Sequence, residues 1–518
     1  MNFELNGTGA SPIVHSKEFQ AVILAGSGSK LFPLVDKTCP KALLPIANKP
    51  MLFYQLEWLE SAHVTDILIV CQDDAHENIH SYIHNVLNAP ERYPNSKVEV
   101  VKVKGSGSVS ADALRHVANR IKTDFIVLSC DTITNYPPNQ LLDVFRAQSP
   151  TMAALFHEPL KADGDASSSK KDKDDDLIEY IGIDHSTCRL LFCVDGDEVD
   201  DELPVRMSIL DKFPAVNIHT KLRDAHLYVF KHWVIDFIAK SKIQSIKDEL
   251  IPLLTHFQYS EEVLKREGID KFLTSSANFD QFYASRQLSS TGGGFVNASR
   301  SVSLENHYNK QSREANLTRG GNSVGNNALS SSSSSRHHHH PSVGESGGSA
   351  DSSVILLDSG DAGEEEVTDF HREIVCTAIV ARGEGGYCFR VNSVPNYLEG
   401  CRALVKTLSA EEQVARSVER QKGCQVGDSV IGDSTRIGEK TGIKKSVIGK
   451  HCVIGKNVKI VNSVLMDHCV IEDKVVLEGT VVCGHSKVLE MSNLKDCQVA
   501  SSVTVKKEVQ GKNETFMG

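Results

Sequence analysis

The sequence predicts an α/β domain built on a doubly wound parallel sheet, followed by a parallel β-helix. Three observations carry this. Short β-rich apolar runs alternate with helix-spaced segments from residue 18 to about 285. Aliphatic residues recur at a six, six, five spacing through the C-terminal part. A low-complexity tract separates the two patterns. At 518 residues the chain is too long for one ordinary core, so two or three domains are expected.

Residues 1–17 lack a basic stretch followed by an apolar one and read as a flexible N-terminus without a signal peptide. Ala21–Leu24 is a short apolar strand that feeds a Gly/Ser loop, Ala25–Ser29. Asp66–Cys71 and Phe125–Cys130 are continuous apolar runs, the pattern of strands buried on both faces. Pro50–Ala62 and Ala111–Ile121 between them have helical spacing. Strands alternating with helices give a parallel sheet, and ligands then sit beyond the carboxyl ends of its strands. The charged stretch Ala162–Asp176 reads as a solvated loop. The tract 286–368, with Ser330–Ser335 and His337–His340, has too little apolar surface to order itself. Order returns with Arg372–Ala381, a strand, and Tyr387–Leu404, a strand, turn and helix. This block, 369–405, is assigned to the first domain with 18–285.

The last segment repeats. Ile431, Ile437 and Ile443 are followed by Ile448, Ile454 and Ile460, then Leu465, Ile471 and Leu477, then Val482 and Val488. One cycle is seventeen residues, and glycines follow many of these positions, as at Gly432, Gly438, Gly449 and Gly455. This is the hexapeptide pattern of a three-faced β-helix, with each aliphatic side chain pointing into a shared core. About four coils are expected over 406–505, with 506–518 as a C-terminal tail.

Composition excludes several classes. The 56 Lys and Arg against 67 Asp and Glu leave a net charge of −11, which argues against a protein that coats nucleic acid. Thirteen scattered cysteines with no C-x-x-C pair read as reduced, mostly buried thiols of a cytosolic protein. The chain has no apolar run of the length a membrane-spanning helix needs.

The chemistry concentrates in Ala21–Pro45. A strand leads to a loop containing Gly26 and Gly28, then Lys30, then Pro40-Lys41. Glycine loops bring backbone N–H groups close to an anion, and two lysines supply charge for phosphates. This order resembles the sugar-nucleotidyltransferase family. The resemblance implies a Rossmann-like domain that joins a nucleoside triphosphate to a sugar phosphate. An arginine after the loop would stabilise pyrophosphate, the Pro-Lys lysine would assist, and two aspartates would hold magnesium. Here Gly26 and Gly28 match two loop glycines, Ser27 stands at a third, and Lys30 replaces the arginine. Lysine lacks the planar fork that grips phosphate through two bonds. Lys41 matches the second basic position and Asp131 the first metal carboxylate. Gly107–Arg115 resembles the base-recognition segment. No Asp or Glu occurs from Gly385 to Asn396, where the second metal carboxylate belongs, and Arg390 adds a positive charge there. The expected site is therefore Gly26, Gly28, Lys30, Lys41 and Asp131 as a vestigial nucleotide or phosphate site. No catalytic residue, metal ligand or cofactor is expected. Losing one preorganised stabiliser costs about 3 to 4 kcal/mol of barrier.

A degenerate nucleotidyltransferase domain joined to a left-handed β-helix resembles the gamma and epsilon subunits of the guanine-nucleotide exchange factor for translation initiation factor two. Lys41–Tyr54 and Cys388–Gly400 are similar to the gamma type. The chain also ends soon after the last coil, where the epsilon type continues into a helical exchange domain. The resemblance implies a non-catalytic cytosolic subunit. Its partners would be an epsilon-type subunit, the other exchange-factor subunits and the initiation-factor GTPase, with no nucleic acid or membrane bound directly. The competing expectations are an active mannose-1-phosphate guanylyltransferase-like enzyme or a silent regulator of one.

Overall fold

The computed structural model describes residues 18–87, 96–103, 110–160, 178–199, 202–269, 271–273, 373–381 and 386–518. The N-terminus 1–17, the charged stretch 162–176, the tract 286–368 and the first part of Gly107–Arg115 lie outside the described residues. The two folded parts belong to one compact unit.

The first part is centred on a seven-stranded sheet. Its strands run in the order Cys376–Ala381, Met152–His157, Arg223–Phe230, Asp124–Ser129, Phe19–Ala25, Asp66–Gln72, Lys97–Val103. The expected all-parallel sheet needs one correction: Arg223–Phe230 runs antiparallel to both neighbours. It follows a small antiparallel sheet of Glu179–Asp184, Leu190–Asp195 and Val216–His219, and so returns without a helical crossover. The strand after the low-complexity tract, Cys376–Ala381, completes the edge beside Met152–His157 in parallel register.

Both faces of the sheet are covered, which is why its strands read as unbroken apolar runs. Val22, Phe125 and Val127 point into one core, with Leu114 and Val117 of helix Ser110–Val117 and Trp233, Phe237 and Ile238 of helix His232–Lys240. Ala21, Ile23, Ile126 and Leu128 point into the other, against helices Met51–Ser61, Asp73–Leu87 and Pro138–Gln148. The period-two alternation of a strand divides the side chains between these cores.

Helix Val394–Thr407 leads into the second part. Ser393 caps it by accepting from the Asn396 amide, and Pro395 sits in its first turn, where no donor is lost. The solenoid has three parallel sheets of six strands each. In-register partners are seventeen residues apart, as in Ile437 with Ile454 and Ile443 with Ile460. The eleven inward positions of the repeat, Ile431, Ile437, Ile443, Ile448, Ile454, Ile460, Leu465, Ile471, Leu477, Val482 and Val488, are all buried. The coils run further than expected: Thr504–Val505, Gln510–Lys512 and Thr515–Phe516 form a last turn, so 506–518 is a coil and not a tail. The repeat seemed to fade there because Gly511 and Phe516 occupy inward positions that aliphatic residues hold in earlier coils.

Candidate functional site

The site forms where the carboxyl ends of Phe19–Ala25, Asp66–Gln72 and Asp124–Ser129 meet the segment around Lys41. The strand Phe19–Ala25 delivers Gly26 to this edge, exposed and with open space where a side chain would stand. Gly28 has φ +73, a left-handed conformation, and a Cβ there would meet the Lys41 stem at 3.0 Å. Glycine is required for both reasons. The chain then turns through Asp36, whose carboxylate accepts from the Thr38 amide at 2.8 Å, the Thr38 hydroxyl at 2.6 Å and the Cys39 amide at 2.8 Å. That turn sets Pro40 and a single 3-10 turn, Lys41–Leu43, which aims Lys41 inward.

Asp131 follows strand Asp124–Ser129 and is completely buried. Lys41 Nζ donates to its Oδ2 at 2.7 Å. Strand Cys388–Arg390 pairs antiparallel with Thr132–Thr134, placing Arg390 opposite Thr132. The Arg390 guanidinium then reaches Asp131 through Nη2 at 3.0 Å to Oδ2 and 3.2 Å to Oδ1, and through Nε at 3.3 Å to Oδ1. Burial alone would raise the Asp131 carboxyl, but Arg390 and Lys41 outweigh it and hold it far below the usual carboxylate range. Burial likewise opposes the charge on Lys41 and Arg390, and Asp131 keeps both protonated.

A cavity of about 170 Å³ opens beside this group. Its walls include Val70, Val103 and Val127, with Gly26, Lys41 and His226 among its polar or open positions. That volume suits one ring, since a dry 150 Å³ cavity accommodates benzene. His226 sits at a register shift in Arg223–Phe230 with φ 50, so its imidazole turns toward the cavity. Burial, then the Arg390 charge, keeps it neutral. Behind it Tyr228 donates its hydroxyl to Asp224 at 2.5 Å, and the Asp224 amide donates to Glu179 at 2.9 Å. Glu179 in turn pairs with Lys247 at 2.9 Å.

Of the residues expected from sequence, Gly26, Gly28, Lys41 and Asp131 come together. Lys30 does not: it is exposed on the 3-10 turn Ser29–Leu31, outside the cavity lining. The turn that follows the loop rotates it outward. Asp224, His226, Tyr228 and Glu179 were not foreseen. The only sequence signal is polar residues interrupting an apolar strand, in RDAHLYVF.

The fold implies magnesium, so the donor set is decisive. Magnesium takes oxygen ligands and is usually held through one or two carboxylates. Both oxygens of Asp131 already accept from cations, and the place of the second carboxylate is filled by Arg390. Among the described residues no three His, Cys, Asp or Glu side chains gather around one point. These residues do not fit a divalent ion.

Comparison with known proteins agrees with this architecture. Residues 20–163 match the nucleotidyl transferase family, and 412–510 match the left-handed β-helix domain of the eIF2B epsilon subunit. The gamma subunit of translation initiation factor eIF2B from Schizosaccharomyces pombe is 42% identical over 267 residues, 51% of this chain and 57% of that protein. The gamma subunit from Caenorhabditis elegans is 30% identical over 47% of this chain and 60% of its own length. An eIF2B epsilon subunit from Dictyostelium discoideum is 25% identical over 48% of this chain and 35% of its own. The chain thus spans a little over half the length of the gamma subunits it matches. It joins a nucleotidyl transferase domain to an eIF2B-type left-handed β-helix, and it is similar to the gamma subunits of eIF2B.

Proposed function

We propose that this chain is a gamma-type subunit of the eIF2B guanine-nucleotide exchange factor and performs no nucleotidyl transfer itself. It pairs with an epsilon-type subunit in the cytosol and supports GDP/GTP exchange on translation initiation factor two by binding that substrate. The observation that carries the reading is Arg390 bound to Asp131, where transfer chemistry needs a metal-binding carboxylate pair. Similarity to both gamma and epsilon subunits supports the assembly. Gly26, Gly28, Lys41 and Asp131 are the remains of the nucleotide site in this reading.

The test is reconstitution. The purified chain is mixed with the epsilon-type subunit of the same organism, and co-elution and GDP release from the initiation factor are measured. Co-elution and faster release than with epsilon alone are expected. The competing reading, sugar-phosphate nucleotidyl transfer, is tested with GTP, mannose 1-phosphate and magnesium. Pyrophosphate formed above background, and lost in Asp131→Asn, would overturn the proposal.

A further inference from the structure

We infer that His451, His468 and His485 form a binding site for one zinc-class divalent ion on a corner of the solenoid, held by two imidazoles from adjacent coils. The three residues are seventeen apart, so they occupy the same corner of successive coils. All three are exposed. Their rings stack, with centroids 4.9 Å and 4.8 Å apart and planes 13° and 6° from parallel. The corner is built in the same way each time. Each histidine is left-handed, with φ 55, 60 and 60. Each amide donates to a carbonyl of the preceding coil: His451 to Asp433 at 2.9 Å, His468 to Lys450 at 2.9 Å and His485 to Asp467 at 3.1 Å. Backbone conformation does not call for imidazole here, because Ser434 and Ser502 hold the same corner in flanking coils with φ 58 and 60. Core packing does not call for it either, since the rings face solvent. Among the described residues nothing hydrogen-bonds or ion-pairs with the three rings.

Neutral imidazole is a ligand for zinc, copper and nickel, bound through a ring nitrogen. With a Zn–N bond of about 2.0 Å, two imidazoles on one ion have centroids about 5.2 Å apart at a tetrahedral angle and about 4.5 Å apart at a right angle. The ladder spacing falls between these values. Chelation therefore needs two rings to splay from parallel by side-chain rotation, and the coils keep their spacing. In the stacked arrangement no three His, Cys, Asp or Glu side chains converge on one point among the described residues. The neighbouring carboxylate, Asp467, accepts from the Lys450 amide at 2.7 Å. The ion is thus held by two rings, with water at its remaining positions. His468 belongs to both adjacent pairs, whereas His451 and His485 belong to one each.

The experiment titrates Zn²⁺ into the full chain by calorimetry. The background carries His76→Gln, His80→Gln, His337→Ser, His338→Ser, His339→Ser and His340→Ser. Neither the stacked pair on helix Asp73–Leu87 nor the histidine run then competes. Asparagine is the replacement at the corner, because it already holds a left-handed backbone at Asn457 and Asn462 of the same solenoid. One Zn²⁺ site is expected in the background chain. His451→Asn and His485→Asn each leave one adjacent pair and should weaken it by about twofold. His468→Asn leaves two rings separated by a whole coil and should weaken it by about tenfold or more. Circular dichroism checks each fold. If His468→Asn does not fold, the double variant His451→Asn with His485→Asn leaves a single ring and should lose as much. Absence of Zn²⁺ binding overturns the inference, and so does a site indifferent to these residues. Losses of equal size at the three positions overturn it too, since a shared central ring would not give them. The ladder is then a stacking device alone. None of these outcomes bears on co-elution with the epsilon-type subunit, so the two proposals fail separately.

Discussion

At the scale of single residues, buried charge decides what this site does. Asp131 and Asp224 are both fully buried carboxylates near Arg390, yet they are pushed in opposite directions. Asp131 has two cations in hydrogen-bond contact and stays ionised. Asp224 has none in contact; burial first, and the Glu179 charge as well, raise it from 3.8 to about 6 despite the Tyr228 hydroxyl. The sign of the stability effect follows. Between about pH 4 and pH 6 the folded state holds a proton on Asp224 that the unfolded chain has released. The contribution is therefore fully present at low pH and is lost as pH rises through about 6. A shift of this size corresponds to roughly 3 kcal/mol. Asp224→Asn removes the charge while keeping groups that can bond Tyr228 and the His226 amide. We expect the variant to be more stable than the native chain at pH 8 by up to about 3 kcal/mol, and equal to it near pH 4. Urea unfolding of both proteins across that range measures this. Parallel profiles would show that Asp224 is not the group responsible.

Element by element, the sequence declares periodicity well and partnership poorly. The solenoid was legible because its inward positions repeat at a fixed spacing and carry aliphatic side chains from Ile431 to Val488. Its last coil was not, because Gly511 and Phe516 break that rule. Lys41 and Asp131 were legible because each stands directly beside a strand or proline signal that fixes its place. The direction of Lys30 was not, since charge and spacing do not say which way a single turn rotates. Asp224 and His226 depend on a register shift within a long-range strand pair, which no local pattern encodes. Glycines in the repeat show the same division. A Cβ on Gly438 would lie 2.4 Å from the Gly455 carbonyl oxygen in the next coil, whereas one on Gly442 would meet nothing within 4 Å. The Gly455 backbone is itself fixed, since its amide donates to the Ile471 carbonyl at 2.8 Å. We expect Gly438→Ala to cost about 1 to 3 kcal/mol, as overpacking does, and Gly442→Ala to stay within about 0.5 kcal/mol. Thermal unfolding of the two variants provides the comparison, and equal losses would mean that coil stacking is looser than these distances imply.

Across the whole molecule, one face of the solenoid serves two cores at once. Its first four strands carry Val-Ile, Val-Ile, Val-Leu and Val-Val pairs, so both the inward and the outward residue are apolar there. The inward members fill the solenoid, and the outward Val430, Val447, Val464 and Val481 join a cluster with Leu34, Leu44, Ile46, Phe389 and Tyr397 of the first part. Asn48 adds a bond from Nδ2 to the Ile448 carbonyl at 2.7 Å. On the next face the outward residues include Glu419 and Arg436, an ion pair at 3.1 Å facing solvent. Full burial of each outward valine is worth about 1.5 to 3 kcal/mol, which couples the two parts energetically. The coupling can be measured because each part carries its own reporter. The chain's two tryptophans, Trp58 and Trp233, lie in the sheet domain, while Cys452 and Cys469 are buried in the solenoid. In the native chain, tryptophan fluorescence and pulsed thiol labelling of those two cysteines should give one shared urea midpoint. Val464→Asp places a charge in the shared cluster and should separate them, with the sheet domain losing stability while the solenoid core, filled from the inward side by Leu465, persists. Distinct midpoints in the native chain would show that the two parts unfold independently and that the valine face contributes little to holding them together.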